Sequence, residues 1–217
     1  MRIDAQPYPH VSDDSDIEDF KESLRSAIRE ARQLRSPRRR AEAGQGLAHV
    51  IETIPDVASA RCVSLYASRP GEPDTSWLLD RLAARGVRVL MPILGAGLQR
   101  DWAEYAGAGD LRQRAPGRPP EPGTPTLGAE ALAEADVVIA PALAIDTHGT
   151  RLGQGGGWYD RALENLRPGV RVIGVVFPVE LYDAEVRPLP RQSHDRPVDA
   201  VATPQEWHEL LSRPTTA

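Results

Sequence analysis

Four short runs in this chain are almost wholly apolar: Cys62–Ala67, Val87–Met91, Asp136–Ala142 and Val172–Phe177. A strand with one wet face alternates apolar and polar residues, because successive side chains point to opposite faces. These runs barely alternate, so both of their faces must be covered. That condition is met by a mostly parallel sheet packed between helices. Helical patterns fall between the runs, near 74–85 and 159–166, and a further short strand is expected at 198–201. The fold class expected is therefore α/β, three-layer, with a mostly parallel sheet flanked by helices. Pro204–Leu211 reads as a closing helix.

The N-terminal third is different. Residues 1–15 carry several acids and no hydrophobic period, which predicts a frayed tail. A single domain is expected over 16–212. Ser15-Asp-Ile-Glu18 has the form of a capping box opening a helix. Phe20, Leu24, Ala27, Ile28, Ala31 and Leu34 form its apolar stripe, while Lys21, Arg25, Arg29 and Arg32 run along an adjacent one. Ser36-Pro37 predicts the N-cap and first residue of a second helix. Residues 106–128 are rich in Gly and Pro and predict an excursion within the domain.

Composition narrows the setting. A chain of 217 residues suits one large domain, and no stretch approaches the roughly 20 apolar residues of a membrane span. The acidic, polar N-terminus does not resemble a secretory or organelle signal. Cys62 is the only cysteine and sits in an apolar run, consistent with an inert thiol in a reducing cytoplasm. A net charge of −5 argues against nucleic acid as a partner. Of the 26 basic residues only Lys21 is lysine. Arginine-biased coding explains most of that count, but a compact ammonium differs physically from a planar guanidinium, so the surviving lysine is a candidate for a specific role.

The segment from Pro141 to Arg161 carries the strongest chemical signal. An apolar strand enters a loop holding Gly153, Gly155, Gly156 and Gly157, and a helix follows. Glycines let backbone approach a ligand closely. Successive N–H groups ahead of a helix make an anion site suited to phosphate. A tight turn alone would need fewer glycines. A Walker A loop is excluded, since no lysine lies here, and the dinucleotide fingerprint fails because Trp158 or Asp160 stands where its last glycine is required.

The order Leu-Gly-x-Gly-x-Gly-aromatic-Tyr-Asp at 152–160, flanked by Arg151 and Arg161, resembles the signature loop of 5-formyltetrahydrofolate cyclo-ligases. The resemblance extends from about Phe20 to Thr203. It takes in Lys21 and Arg25; Tyr66, Ser68 and Glu72, with Asp74-Thr75 after them; and Val89-Leu-Met-Pro92. It also takes in Glu121-Pro122, Leu189-Pro190, His194-Asp195, and Val198-Asp199 with Thr203. The sequence departs from the family pattern at Gln154, Gly156, Trp158 and Glu180.

The resemblance implies an ATP- and Mg²⁺-dependent ligase acting on a reduced folate, cytoplasmic, and a monomer or weak homo-oligomer. It implies that Lys21 and Arg25 meet the phosphates and the substrate, and that Gly153, Gln154, Gly155, Gly156, Gly157, Trp158 and Tyr159 wrap the nucleotide. Asp160 and Asp195 would hold the metal. Arg25, Ala67, Glu72, Gln154 and Trp158 would face the folate. Read without the resemblance, each residue has a plainer role: Asp160 as a helix cap, Asp195 in a turn, Glu72 as a solvated loop acid, the basic stripe as a wet helix face. The competing functions are a related nucleotide-binding protein with another folate-like substrate, and a non-catalytic regulatory module.

Overall fold

The structure, a computed structural model, describes Tyr8, residues 16–94 and residues 99–210. Three helices open it: α1 (Ile17–Gln33), α2 (Pro37–Glu52) and α3 (Pro55–Ser59). Then come β1 (Cys62–Leu65), α4 (Ser76–Ala84), β2 (Arg88–Leu94), β3 (Arg100–Glu104) and β4 (Val137–Pro141). The second half holds β5 (Ala144–Asp146), β6 (Arg151–Leu152), α5 (Trp158–Ala162), β7 (Arg171–Val175), β8 (Leu181–Tyr182), β9 (Ala200–Ala202) and β10 (Trp207–Glu209).

Seven strands form the main sheet in the order β10-β9-β7-β4-β1-β2-β3. The five inner strands pair parallel, and both edge strands are antiparallel. Every residue of β1 is buried, as are Val137–Ala140 of β4 and Val172–Val175 of β7. Because neighbouring side chains point opposite ways, continuous burial means both sheet faces are covered. The expected α/β class with a mostly parallel, helix-flanked sheet is what the chain adopts. Leu47, Ala48 and Ile51 of α2 and Leu78, Leu79 and Leu82 of α4 share the sheet's core.

Helix α1 packs elsewhere. Its Leu24 and Ile28 join Leu143, Ala144, Leu152, Tyr182 and Leu189 in a separate cluster over a three-stranded sheet, β6-β5-β8. Tyr8 also enters this cluster, its ring 6.5 Å from that of Tyr182. The other residues of the expected tail, and Ser15, lie outside the described residues. Asp16 caps α1 instead, its side chain accepting from the N–H of Glu18 at 2.8 Å. Leu34, assigned to the apolar stripe, is the C-cap and is exposed. Helix α2 starts as expected, with Ser36 Oγ accepting from the N–H of Arg39 and Pro37 first.

The chain end corrects the sequence reading. The expected helix at Pro204–Leu211 is a hairpin: β10 runs antiparallel to β9, and Leu211 lies outside the described residues. Thr203 makes the turn, its hydroxyl accepting from the N–H groups of Gln205 and Glu206. The edge of β9 offers this segment backbone partners already in place, and that tertiary context overrides the local helical pattern. The Gly/Pro-rich excursion is ordered, with Arg112 bridged to Glu121 and Thr126 to Ala103.

Candidate active site

The parallel strands deliver their C-terminal ends to one side of the sheet, where open α/β sheets bind ligands. A cleft of about 420 Å³ lies there. Lys21, Arg25, Ala67, Glu72, Gly153, Gln154, Gly155, Gly156, Gly157, Trp158, Tyr159, Asp160 and Asp195 all line it. Every site residue expected from the sequence thus borders one cavity.

The basic stripe of α1 is not a wet face. Lys21, Arg25 and Arg32 are all buried. Lys21 Nζ donates to Asp195 Oδ2 at 2.7 Å and to Gln192 Oε1 at 2.9 Å. Burial pushes the Asp195 carboxyl up, but the Lys21 hydrogen bond and the N–H of Gln192 outweigh it and hold the group below the usual carboxylate range. Asp195 is therefore an ion-pair partner as well as a turn residue.

The glycine loop is held by its carbonyls. Arg25 Nε donates to Gly153 O at 3.1 Å and Arg29 Nη2 to Gln154 O at 3.0 Å. Arg161 Nη2 reaches Gly156 O at 2.8 Å, and Arg100 Nε reaches Trp158 O at 3.2 Å. Among the described residues, no group accepts from the N–H groups of residues 153–157. A loop with its carbonyls engaged and its N–H groups unpaired is a ready anion cradle. Gly155, at φ +100°, and Gly157, at φ +57°, occupy backbone conformations that side chains disfavour. The following helix is shorter than expected, only Trp158–Ala162 before a 3-10 turn at 163–165. Its dipole is small, so the cradle rests on the loop itself and the surrounding cations.

Asp160 does not cap that helix; Gly157 occupies the N-cap. Asp160 Oδ1 instead accepts from Arg151 Nη2 at 2.6 Å and from the N–H of Arg196 at 3.1 Å. Since Arg196 follows Asp195 in the chain, the two acids share a corner of the cleft. Each has one oxygen engaged by Lys or Arg; Asp195 Oδ1 lies 3.6 Å from His194 Nε2, and Asp160 Oδ2 has no partner among the described residues. Those residues contain no convergent group of three His, Cys, Asp or Glu side chains. Mg²⁺ ordinarily takes one or two carboxylates together with phosphate oxygens and water, so this donor set fits it.

Glu72 is buried rather than solvated. Its Oε2 accepts from the N–H of Arg69 at 2.8 Å and its Oε1 from Gln154 Nε2 at 2.8 Å. Trp158 packs edge-on against Trp102 at 5.3 Å, which fixes the end of the loop to β3. The hydroxyls of Tyr66 and Tyr159 are buried without a partner among the described residues, and burial raises the pKa of both phenols. The sequence reading left Arg29, Arg100, Arg151 and Gln192 out of the site. Arg29 and Arg151 were visible in the basic stripe and beside the loop, but Arg100 and Gln192 carry no local signal.

Residues 17–204 match the sequence profile of the 5-formyltetrahydrofolate cyclo-ligase family. The chain belongs to that family. The 5-formyltetrahydrofolate cyclo-ligase of Escherichia coli K12 is 34% identical over 187 residues, covering 83% of this chain and 100% of the relative. The enzyme of that name from Mycolicibacterium smegmatis is 38% identical over 152 residues, covering 68% of this chain and 75% of its own. In fold, the chain resembles the NMR structure of Aquifex aeolicus 5,10-methenyltetrahydrofolate synthetase, with a TM-score of 0.74 at 24% identity over 91% of this chain and 96% of that one. The synthetase from Mycoplasma pneumoniae gives 0.65 at 17% identity, over 85% and 98%. Among the described residues no helix is long and apolar enough to cross a membrane.

Proposed function

We propose that this cleft carries out the cyclo-ligase reaction: 5-formyltetrahydrofolate and ATP give 5,10-methenyltetrahydrofolate, ADP and phosphate. The observation that carries the proposal is the shared cleft. The unpaired N–H groups of residues 153–157 line it together with Lys21 and Arg25 of α1 and with Glu72, which is joined to the loop through Gln154. The unpartnered hydroxyls of Tyr66 and Tyr159 leave polar capacity for a substrate to take up.

The formyl oxygen is a poor leaving group. It attacks the γ-phosphorus, forming an O–P bond as the bond to the β-phosphate bridging oxygen breaks and ADP departs. N10 then attacks the activated carbon and loses its proton. The C–O bond breaks, phosphate leaves, and the five-membered ring is closed. No protein nucleophile is needed, so the chain's work is to position two substrates and to balance charge. The loop N–H groups hold the phosphates. Lys21, a compact ammonium, follows the phosphoryl group, and Arg25 supports the same charge. Glu72 orients the folate ring. Asp160 and Asp195 would hold Mg²⁺, and the chemistry it would supply there is neutralisation of phosphate charge.

The test is ATP consumption by the purified chain with and without folinate. The expected result is hydrolysis that depends on folinate and matches methenyl product mole for mole. Hydrolysis indifferent to folinate, or none at all, would refute the assignment.

A further inference from the structure

Arg29 borders neither the folate wall nor the acids of the metal corner, yet it is linked to both halves of the cleft. Its Nη2 holds the carbonyl of Gln154, and its Nε donates to the side-chain oxygen of Gln154 at 3.3 Å. The amide nitrogen of Gln154 then donates to Glu72 Oε1 at 2.8 Å. Glu72 Oε2 is fixed by the N–H of Arg69. The three side chains come from α1, the phosphate loop and the turn after β1, with sequence separations of 125 and 82.

The chain of bonds has one direction. An amide offers an oxygen acceptor and a nitrogen donor, and Arg can only donate while an ionised Glu can only accept. Turning the Gln154 amide over would set donor against donor and acceptor against acceptor. Both contacts hold only with oxygen toward Arg29 and nitrogen toward Glu72. With both its oxygens taken, the Glu72 carboxylate has no freedom to rotate. Arg29 also lies two turns beyond Lys21 and one beyond Arg25 on the same helix, and Arg25 grips the neighbouring loop carbonyl of Gly153.

We propose that Arg29 and Gln154 are positioning residues: Arg29 grips Gln154, and Gln154 aims the Glu72 carboxylate at the folate while tying it to the phosphate loop. This rests on the reading of Glu72 as the folate-orienting acid. Arg29 thereby sets folate affinity without touching the folate. A glutamine is suited to the task because its amide matches a cation on one side and an anion on the other without carrying charge. An acid at the same position would face Glu72 across a hydrogen-bond distance.

The experiment is steady-state kinetics of Arg29→Met, Gln154→Met, the double variant and Gln154→Glu, with folinate and ATP varied in turn. Each single Met variant is expected to raise the folinate KM about tenfold, the loss of roughly one charge-assisted hydrogen bond. The double variant should raise it no further than the worse single, because both remove the same chain of contacts. Gln154→Glu should raise it more than Gln154→Met through repulsion of Glu72. Additive effects, an unchanged folinate KM in Arg29→Met, or wild-type folinate binding by Gln154→Glu would each overturn the proposal. A wild-type chain that does not consume folinate overturns the functional reading instead, so the two failures are told apart.

Discussion

Arg32 and Glu180 form an ion pair with almost no contact with water: their side chains are 3% and 0% exposed. Arg32 Nε and Nη2 meet the two carboxylate oxygens at 2.8 and 2.7 Å, and Nη2 also donates to Ala142 O at 2.7 Å. Arg35 stacks over the Phe177 ring beside them, 3.8 Å from its centroid. The pair fastens the C-terminal end of α1 to the segment after β7, and so sets the helix that carries Lys21 and Arg25. Arg32→Met removes the cation and keeps most of the side-chain volume. Glu180 is then left as a buried charge whose remaining bond is from the N–H of Phe177 at 2.9 Å. Removing one member of a buried pair costs about 3–5 kcal/mol. In a domain of this size each kcal/mol moves the melting temperature by about 2–4 °C, so the fall should be roughly 10 °C. Replacing both, as Arg32→Met with Glu180→Leu, removes the orphaned charge. It leaves Ala142 O and the Phe177 N–H without partners at about 1 kcal/mol each. The double variant should therefore be more stable than Arg32→Met alone by about 1–3 kcal/mol. Urea unfolding followed by tryptophan fluorescence measures all four corners of the cycle. A loss below about 1 kcal/mol for Arg32→Met, or additive losses in the double variant, would refute the claim that the pair is coupled and dry.

Lys21→Arg should lower kcat about 100-fold or more, as loss of a positioned donor to transition-state charge does, while the melting temperature moves by less than about 5 °C; wild-type turnover in this variant would remove Lys21 from the mechanism. Asp160→Asn keeps an acceptor for the Arg196 N–H but loses the charge that faces Arg151. Its activity should fall and recover in part at high Mg²⁺, whereas Mg²⁺ titrations that superimpose on wild type would leave Asp160 only as the anchor of Arg151. Burial pushes the Cys62 thiol up to about 11, so at pH 8 it is protonated, and a thiol reagent should label the native chain at least about 100-fold more slowly than the unfolded one. Rapid labelling of native protein would show that β1 opens to solvent.

Much of this protein is written locally. The unalternating runs at 62–67, 87–91, 136–142 and 172–177 declare two-sided burial, and hence a parallel sheet between helices. Ser36-Pro37 declares a helix start, and four glycines in five positions declare a backbone that must meet a ligand closely. What escaped the sequence has no local signature. Strands β5, β6, β8 and β10 are two or three residues long, too short to show a period; β10 pairs onto the edge of β9, and the other three form where the fold brings them together. The same amphipathic pattern in α1 would allow it to lie on the large sheet; only the fold seats it on the small one. That choice turns a basic stripe from solvent into the cleft. The partners then follow from geometry that no spacing encodes. Lys21 meets Asp195 across 174 residues, Arg32 meets Glu180 across 148, and Gln154 meets Glu72 across 82. A charged side chain can be buried only where its complement is brought to it. The sequence therefore determined which residues were capable of the chemistry, and the tertiary structure decided which of them face one another.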